Sequence, residues 1–250
     1  MMSASSRMKR ARRAWQRHGA LGFCRLALRN LTLLLSRQGA RHRYVNDPAF
    51  DRKYGVDTGG AVEIDEMTAP AWEKEGAVPY EPTPPEMFEF LLDRAEIADP
   101  GDLLFVDLGS GKGRTLILAC LAGFRRAEGV ELGEELHATA ADNLDRLAKV
   151  GRRLNAVSIR GDARSYQFPR EPTVCFLNNP FSADVLAGVV RNIERSLRDR
   201  PRDFTVIYYH SNHEEVFGGS SWERIDHGFW NDRSHHYAIY RSKIGRTADE

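Results

Sequence analysis

The sequence predicts an α/β protein built on a mostly parallel β-sheet with helices on both faces. From residue 103 onward, short apolar runs of strand length alternate with stretches of helical length. This alternation is typical of parallel strands joined by helical crossovers. Two further strand-like runs close the chain, and they predict an antiparallel hairpin at one edge of the sheet.

The strands and helices follow from these runs in chain order. Strands are expected at 103–108, 127–131, 156–160, 174–177, 204–209, 221–226 and 235–241. Helices are expected at about 114–123, 134–149 and 182–199. The helix over 134–149 begins with Glu134 and Glu135, which favour the positive end of a helix dipole. An earlier helix is expected after Thr83-Pro84-Pro85-Glu86, where Thr83 would be the cap and Pro84 the first helical residue.

Length and composition predict one domain with an extension. The chain has 250 residues, of which 42% are hydrophobic, so it can bury one sizeable core. We expect that domain to span residues 83–245, preceded by an irregular strap over 46–82 in which glycine and proline recur. The three cysteines have neither disulfide-framework nor zinc-ligand spacing, which favours a reducing cytoplasm and no metal site.

Residues 1–45 contain Lys and Arg but no Asp or Glu, so the basic character of the chain is concentrated there. Arg25 and Arg29 interrupt its leucine-rich stretch, which argues against a membrane-spanning helix and a secretory signal. We expect a basic amphipathic helix. Three interpretations stay open: its leucine face packs on the protein's own core, it lies on an anionic membrane surface, or it contacts nucleic acid. The second would make a cytoplasmic protein peripheral at a membrane.

A glycine-rich loop follows the first predicted strand and opens a helix. It reads Asp107-Leu108-Gly109-Ser110-Gly111-Lys112-Gly113-Arg114, and its glycines allow a tight turn and a close approach of a ligand to the backbone. Because Arg114 stands at the sixth position from Gly109, the spacing departs from the dinucleotide fingerprint G-x-G-x-x-G, and it is not a P-loop either. Acidic residues end the second strand (Glu131) and follow the third (Asp162).

On these residues, the region from about Tyr80 to Arg241 resembles the class I S-adenosylmethionine-dependent methyltransferases. That family has a Rossmann-like sheet of seven strands whose last strand is antiparallel. The resemblance implies that the glycine loop lines the methionine and ribose of S-adenosylmethionine, that Glu131 accepts both ribose hydroxyls, and that Asp162 borders the adenine. The cofactor-binding residues expected on this basis are Tyr80, Glu81, Thr83, Asp107, Gly109, Ser110, Gly111, Gly113, Glu131, Leu132, Asp162, Ala163 and Asn178.

The closer resemblance is to the branch that includes the histone-lysine methyltransferases without a SET domain, and to related bacterial methyltransferases. It is carried by Tyr80–Thr83, Asp107–Gly111 and Asn178–Phe181. In that branch the segment like Tyr80–Thr83 folds over the methionine end of the cofactor. The substrate-facing regions of the branch have no counterpart here, so histones are not implied. Thr83 has an equally good role as a helix cap, and Asp162 as part of a Gly161-Asp162 turn.

Asn178-Asn179-Pro180-Phe181 follows the fourth strand and resembles the N-P-P-[YF] motif of amino-group methyltransferases. In those enzymes an Asn or Asp oxygen accepts hydrogen bonds from the target amine, and the aromatic ring stacks beside it. The motif is altered here, since Asn179 stands where the first proline would be. The resemblance implies methyl transfer to a nitrogen of a protein or small molecule, with Asn178, Asn179 and Phe181 as catalytic candidates. The alternative is a turn that caps the helix beginning at Ser182.

Methyl transfer from a sulfonium depends mainly on alignment and exclusion of water, so a dedicated base is not required. The candidate bases are nevertheless His210, His213, His227, His235 and His236. Two other functions stay open: a non-enzymatic module that docks to lipid or nucleic acid on a degenerate methyltransferase fold, and an NAD-dependent oxidoreductase. The joint presence of Asp107, the loop glycines and Glu131 argues against degeneration.

Overall fold

The computed structural model describes residues 48–62, 79–97, 99–231 and 235–244, which belong to one compact unit. The basic helix expected within 1–45 lies outside these ranges. None of the described helices is long and apolar enough to cross a bilayer.

The described ranges contain five α-helices and seven strands. In chain order they are α1 (Pro48–Tyr54), α2 (Pro85–Arg94), β1 (Leu104–Leu108), α3 (Arg114–Ala122), β2 (Arg126–Glu131), α4 (Glu134–Lys149), β3 (Ala156–Arg160), β4 (Thr173–Asn178), α5 (Ala183–Asp199), β5 (Phe204–Tyr209), β6 (Trp222–Phe229) and β7 (His236–Ser242). Short 3₁₀ turns occur at Ala163–Ser165 and Glu214–Phe217. All seven expected strands are present, and β6 extends to Phe229 rather than to residue 226. Helix α1 was not expected.

The seven strands form one sheet in the order β3-β2-β1-β4-β5-β7-β6. Strands β1 to β5 pair in parallel, whereas β7 is antiparallel to both β5 and β6. The predicted fold class is therefore confirmed: a Rossmann-like seven-stranded sheet, mostly parallel, with an antiparallel terminal hairpin. The strand order reverses between β1 and β4, and ligands of open α/β sheets bind at the carboxyl ends of such neighbouring strands.

Side chains from the two faces of the sheet enter two hydrophobic clusters. Phe105 of β1 packs with α2 and α3 on one face. Val106, the next residue, packs with α5 on the other. Every residue of β1 is buried, as expected for a central parallel strand that is covered on both sides. Because both faces are covered, most residues of β1 are apolar, and this made the strand recognisable from the sequence.

Helix α2 begins differently from the prediction. Its first residue is Pro85, Pro84 occupies the N-cap, and no side chain caps it within the described part of the chain. Thr83 is buried instead, and its hydroxyl accepts a hydrogen bond from Asn178 Nδ2 at 3.3 Å. Proline at N1 has no N–H, so the start of this helix has one unsatisfied donor fewer. The cap assignment was wrong, and Thr83 contacts the end of β4.

The packing of α5 gives a test of the fold. Ile193 is fully buried between this helix and the sheet. Ile193→Ala should lower the free energy of unfolding by about 2–5 kcal/mol, because the rigid surroundings leave a cavity. Urea denaturation followed by circular dichroism measures the change. Arg195→Ala, on the exposed side of the same helix, should change it by less than about 0.5 kcal/mol. Similar losses in both variants would contradict this orientation of α5.

Candidate functional site

The glycine loop lies at the carboxyl end of β1, where the strand order reverses. The backbone N–H groups of Gly109 and Ser110 donate to the carbonyl of Val130 at 2.8 and 3.1 Å, which ties the loop to β2. Gly109 has a φ of +87°, and a Cβ there would lie 2.4 Å from Pro180 Cβ. Only glycine permits this contact. The segment after β4 therefore packs directly on the glycine loop.

Tyr80 covers the next glycine. A Cβ on Gly111 would lie 2.1 Å from Tyr80 Cε2, so the aromatic ring rests on a backbone without a side chain. The Tyr80 hydroxyl donates to the carbonyl of Thr58 at 2.7 Å. Burial raises the pKa of Tyr80, so this hydroxyl stays protonated at neutral pH and remains a donor. Tyr80 therefore joins the strap to the glycine loop, while its expected contact with a cofactor stays a prediction.

Glu131 ends β2 beside the glycine loop and is buried. Its Oε2 accepts from Gly111 N at 2.7 Å and its Oε1 from Gly133 N at 2.8 Å. Burial raises the pKa of Glu131, while backbone hydrogen bonds from Gly133, Gly111 and Leu132 act in the opposite direction. A carboxylate has about four lone-pair positions. The hydrogen bonds from Gly111 N and Gly133 N fall on different oxygens, so the carboxylate keeps acceptor capacity, and this suits the vicinal hydroxyls of a ribose.

Asp107 is the second buried acid of the site. Its Oδ2 accepts a hydrogen bond from the Thr115 hydroxyl, whereas Oδ1 has no hydrogen-bond partner among the described residues. Burial raises the pKa of Asp107 to about 7; the hydroxyl of Thr115 opposes this and the charge of Glu131 adds to it. A buried acceptor without a partner is costly, and an ammonium group of a ligand would satisfy it.

The strap is attached to the start of α3 by a buried guanidinium. Arg114 Nε donates to the Thr58 hydroxyl at 2.7 Å, and Nη2 lies 3.5 Å from Asp51 Oδ1. The guanidinium also lies over the Phe50 ring, 4.9 Å from its centroid. Asp51 in turn accepts from the N–H groups of Thr58 and Gly59 at 3.0 and 2.8 Å. These contacts order the segment from α1 to residue 59.

A second attachment joins the strap to the glycine loop and to α4. Lys112 Nζ donates to the carbonyl of Gly59 at 2.9 Å and lies 3.2 Å from Asp57 Oδ1. Asn143 Nδ2 donates to the carbonyls of Asp57 and Lys112 at 2.7 and 3.0 Å. Asn143 was not among the predicted site residues, and Lys112 and Arg114 were considered only as departures from other motifs. The presence of two cations in the glycine loop was the signal that could have indicated contacts with the strap.

Two of the three segments that carry the closer resemblance, Tyr80–Thr83 and Asn178–Phe181, meet at Asn178. Its Nδ2 donates to the carbonyl of Glu81 at 3.1 Å and to the hydroxyl of Thr83 at 3.3 Å. Its Oδ1 lies 3.2 Å from His210 Nδ1. The structure therefore brings Tyr80–Thr83 and the end of β4 together, at the same edge as the glycine loop.

The rest of the altered motif adopts an unusual backbone. Asn179 has a φ of +41°, and its Oδ1 accepts from the Tyr208 hydroxyl at 3.3 Å. Burial raises the pKa of Tyr208 to about 12, so its hydroxyl is a donor at neutral pH. Phe181 is partly buried and packs against the cluster beneath α5. Ser182 occupies the N-cap of α5 without a side-chain hydrogen bond among the described residues. Helix capping therefore does not account for the motif.

Asp162 follows β3 and stabilises a local turn. Its carboxylate accepts from Arg164 N at 2.8 Å and forms an ion pair with the Arg164 guanidinium at 2.6 Å. The hydrogen bond from Arg164 holds the pKa of Asp162 below its usual value. Gly161 N donates to the carbonyl of Glu131 at 2.9 Å, so this turn adjoins the end of β2, where Leu132 is partly exposed and Ala163 is buried. The turn role of Asp162 is present, and an adenine contact stays a prediction.

The five candidate histidines occupy different surroundings. His210 contacts Asn178, and His235 is hydrogen-bonded to the Tyr209 hydroxyl. His213 lies 3.4 Å from Glu215, His227 is exposed on β6, and His236 begins β7. Within the described ranges, no group of three or more His, Cys, Asp or Glu side chains is arranged to hold a metal ion.

No protein-family model and no curated protein matches the sequence. Among solved structures, the chain is similar to an RNA methyltransferase from Salinibacter ruber in complex with S-adenosyl-L-homocysteine, at 22% identity over 68% of this chain and 97% of that chain, with a TM-score of 0.47. It is similar to a magnesium protoporphyrin IX methyltransferase from Synechocystis PCC 6803 with bound SAM, at 12% identity over 80% and 92% of the two chains and a TM-score of 0.47. It is also similar to a ribosomal protein L11 methylase from Lactobacillus delbrueckii subsp. bulgaricus. The identity is 15% over 63% of this chain and 79% of that chain, with a TM-score of 0.49. At these values the likeness concerns the fold, and the function is inferred from the side chains.

The raised pKa of Asp107 predicts a specific dependence of stability on pH. The folded group titrates at about 7 rather than at 3.8. Between these values the folded protein holds a proton that the unfolded chain releases, so this group makes the free energy of unfolding fall as pH rises. In Asp107→Asn that contribution is absent. Between pH 5 and pH 8, the free energy of unfolding of the variant should therefore rise by more than about 1 kcal/mol relative to that of the wild type.

Urea denaturation at several pH values measures this difference. Asp102→Asn, at an exposed position before β1, is the control and should give a curve parallel to the wild type. A curve for Asp107→Asn that also runs parallel would show that Asp107 is not held in a desolvated site.

Proposed function

We propose that this chain is an S-adenosylmethionine-dependent methyltransferase that acts on a nitrogen atom. The observation that carries the proposal is the arrangement of Glu131. Its carboxylate is buried beside the glycine-rich loop, is held by Gly111 N and Gly133 N, and retains acceptor capacity for the hydroxyls of a ligand. A bidentate acceptor at this position suits the ribose of a nucleoside.

The charge of the site supports a cationic cofactor. Asp107 and Glu131 are both buried and interact electrostatically, and Asp107 Oδ1 has no partner in the described part of the structure. A ligand with an ammonium and a sulfonium would lower the cost of two neighbouring buried acids. The pyrophosphate of NAD would add negative charge beside them, at a cost that grows as the dielectric constant falls. The acids therefore favour S-adenosylmethionine over NAD.

The residues of the chain have distinct roles in such a reaction. When bound, S-adenosylmethionine supplies an electrophilic methyl group. Tyr80 on one side and Pro180 on the other cover the glycine loop and exclude water there. Asn178 and Asn179 are the candidates for the acceptor of an N–H hydrogen bond from the nucleophile, which orients its lone pair in line with the methyl group. Phe181 would line the acceptor side of the pocket.

The nitrogen specificity rests on the resemblance of Asn178–Phe181 to the motif of amino-group methyltransferases, together with its place at the carboxyl end of β4. The methyl acceptor would be a protein or a small molecule. Docking to lipid or nucleic acid through residues 1–45 would be a separate property of the extension. The pair Asp107 and Glu131 argues against a degenerate site, because two buried acids without a ligand only lower stability.

The cofactor assignment can be tested at Glu131. Glu131→Ala should weaken S-adenosylmethionine binding by about 1.5–3 kcal/mol, because it removes hydrogen bonds to a charged group. Isothermal titration calorimetry with S-adenosylmethionine and, separately, with NAD measures both affinities. Glu134→Ala removes an exposed acid at the start of α4 and is the matched control. An unchanged Kd in Glu131→Ala, or tighter binding of NAD, would rule out this assignment.

The acceptor assignment predicts a loss of turnover rather than of cofactor affinity. Asn178→Ala and Asn179→Ala should each lower the methylation rate at least about tenfold, or 1.4 kcal/mol of transition-state stabilisation, while the Kd for S-adenosylmethionine changes little. The assay follows tritium from methyl-labelled cofactor into a cell extract that serves as acceptor, and mass spectrometry locates the methylated atom. Asn155→Ala, at an exposed position before β3, is the control. Full activity in both variants, or methylation of oxygen or carbon, would refute nitrogen specificity.

A further inference from the structure

His210, directly after β5, has a strained backbone. Its φ is +50°, in the left-handed region that residues other than glycine seldom adopt. Its backbone N–H donates to the carbonyl of His236 at 2.8 Å. Its ring stacks on Tyr209 with centroids 3.9 Å apart and an angle of 24° between the planes. Strain of this kind persists where the surroundings fix it, and it is concentrated at functional sites.

The contacts of Asn178 fix which ring nitrogen of His210 carries a proton. The Glu81 carbonyl can only accept, so the Asn178 atom 3.1 Å from it must be the amide nitrogen. The Asn178 oxygen then faces His210 Nδ1 at 3.2 Å, and this nitrogen must donate. We infer that His210 is a positioning residue, held as the Nδ1–H tautomer, that fixes the Asn178 carboxamide for the methyl acceptor. This inference rests on the role proposed for Asn178.

The consequence concerns the orientation of the amide. If the Asn178 carboxamide were flipped, its oxygen would face the Glu81 carbonyl and its NH₂ group would face the Nδ1–H of His210. Both contacts would be repulsive, so His210 and Glu81 select the same orientation. The Asn178 oxygen has two lone pairs. His210 takes one of them, and the other is the acceptor for an N–H of the nucleophile.

A buried cluster holds the His210 ring in turn. The Tyr209 hydroxyl is hydrogen-bonded to His235 Nδ1, and the rings of His210 and His235 are 5.5 Å apart. Tyr209 and His235 are both buried, and Trp230 packs edge-on against His235. The Tyr209 side chain, on which His210 stacks, is therefore fixed by its hydrogen bond to His235. This limits rotation of the His210 imidazole.

The first test reads the tautomer directly and needs neither cofactor nor acceptor. In the full-length protein labelled with ¹⁵N at the histidine ring, protonated and unprotonated nitrogens give distinct NMR signals. The His210 signals are identified by their loss in His210→Asn. We expect Nδ1–H in the wild type, and in Asn178→Ala a shift toward Nε2–H, the form that predominates in free histidine. The exposed His227 should keep the Nε2–H form in both proteins.

The second test is rescue by a conservative variant. His210→Asn places an amide N–H where Nδ1 stands and tolerates a positive φ. His210→Phe keeps a ring against Tyr209 but has no donor. In the tritium transfer assay, His210→Asn should retain activity within about threefold, and His210→Phe should lose about tenfold. Both variants should bind S-adenosylmethionine with nearly the wild-type Kd.

The outcomes separate this inference from the proposed function. An Nε2–H tautomer in the wild type, or an Nδ1–H tautomer that persists in Asn178→Ala, would overturn the role of His210 even if Glu131→Ala confirmed the cofactor site. Equal losses of activity in His210→Asn and His210→Phe would also overturn it. If both variants failed to fold, the His210 ring signals would be assigned in the wild type through its own backbone by sequential NMR experiments, and the comparison with Asn178→Ala would still decide.

Discussion

The site depends on a carboxylate that is removed from water and is satisfied by the backbone. Glu131 loses hydration at the end of β2, and the N–H groups of Gly111 and Gly133 offset part of that loss. The same hydrogen bonds join the glycine loop to Glu131, so the shape of the loop depends on this carboxylate. The residue that would bind the ribose is therefore also a structural part of the loop. Stability and affinity cannot be varied independently at this position.

Charges of opposite sign lie on two sides of the loop. Asp107 and Glu131 are buried at the ends of β1 and β2, whereas Lys112 and Arg114 bind the strap. The acids suit a positively charged ligand, and the cations are occupied by Thr58, Gly59 and neighbouring groups of the protein itself. A lysine and an arginine in this loop therefore do not by themselves indicate a phosphate site. Lys112 and Arg114 hold the strap in place, and Asp107 and Glu131 lie on the other side of the loop.

The sheet and the glycine loop could be predicted because their signals are local. Central parallel strands are buried on both faces and leave apolar runs, and a loop that approaches a ligand needs its glycines at fixed spacing. Helix α1 could not be predicted, because Phe50 is its one buried residue and its order comes from contacts with Arg114, more than sixty residues away. The cap at Thr83 was mispredicted because its local pattern suits a cap equally well. Only the fold shows that its hydroxyl faces Asn178.

His210 illustrates the same limit on the acceptor side. It lies 32 residues from Asn178 in the sequence and is one of several histidines near the end of the chain. Nothing local distinguishes it from His213, three residues later. The distinction arises because β4 and β5 are neighbours in the sheet, with Asn178 opposite Tyr209 in the register. The pairing of β4 with β5 therefore brings His210 next to Asn178. A short segment of sequence does not contain this information.

The isolated bridge between Val62 and Tyr80 has a consequence for how this protein can evolve. Each residue donates its N–H to the carbonyl of the other, at 3.2 and 2.9 Å, so the chain that leaves at Val62 returns beside it at Tyr80. Because the bridge itself holds the backbone of Tyr80, a change of chain length between the two residues would leave Tyr80 on Gly111. Homologues could therefore differ in this stretch and still inherit the same aromatic cover on the glycine loop.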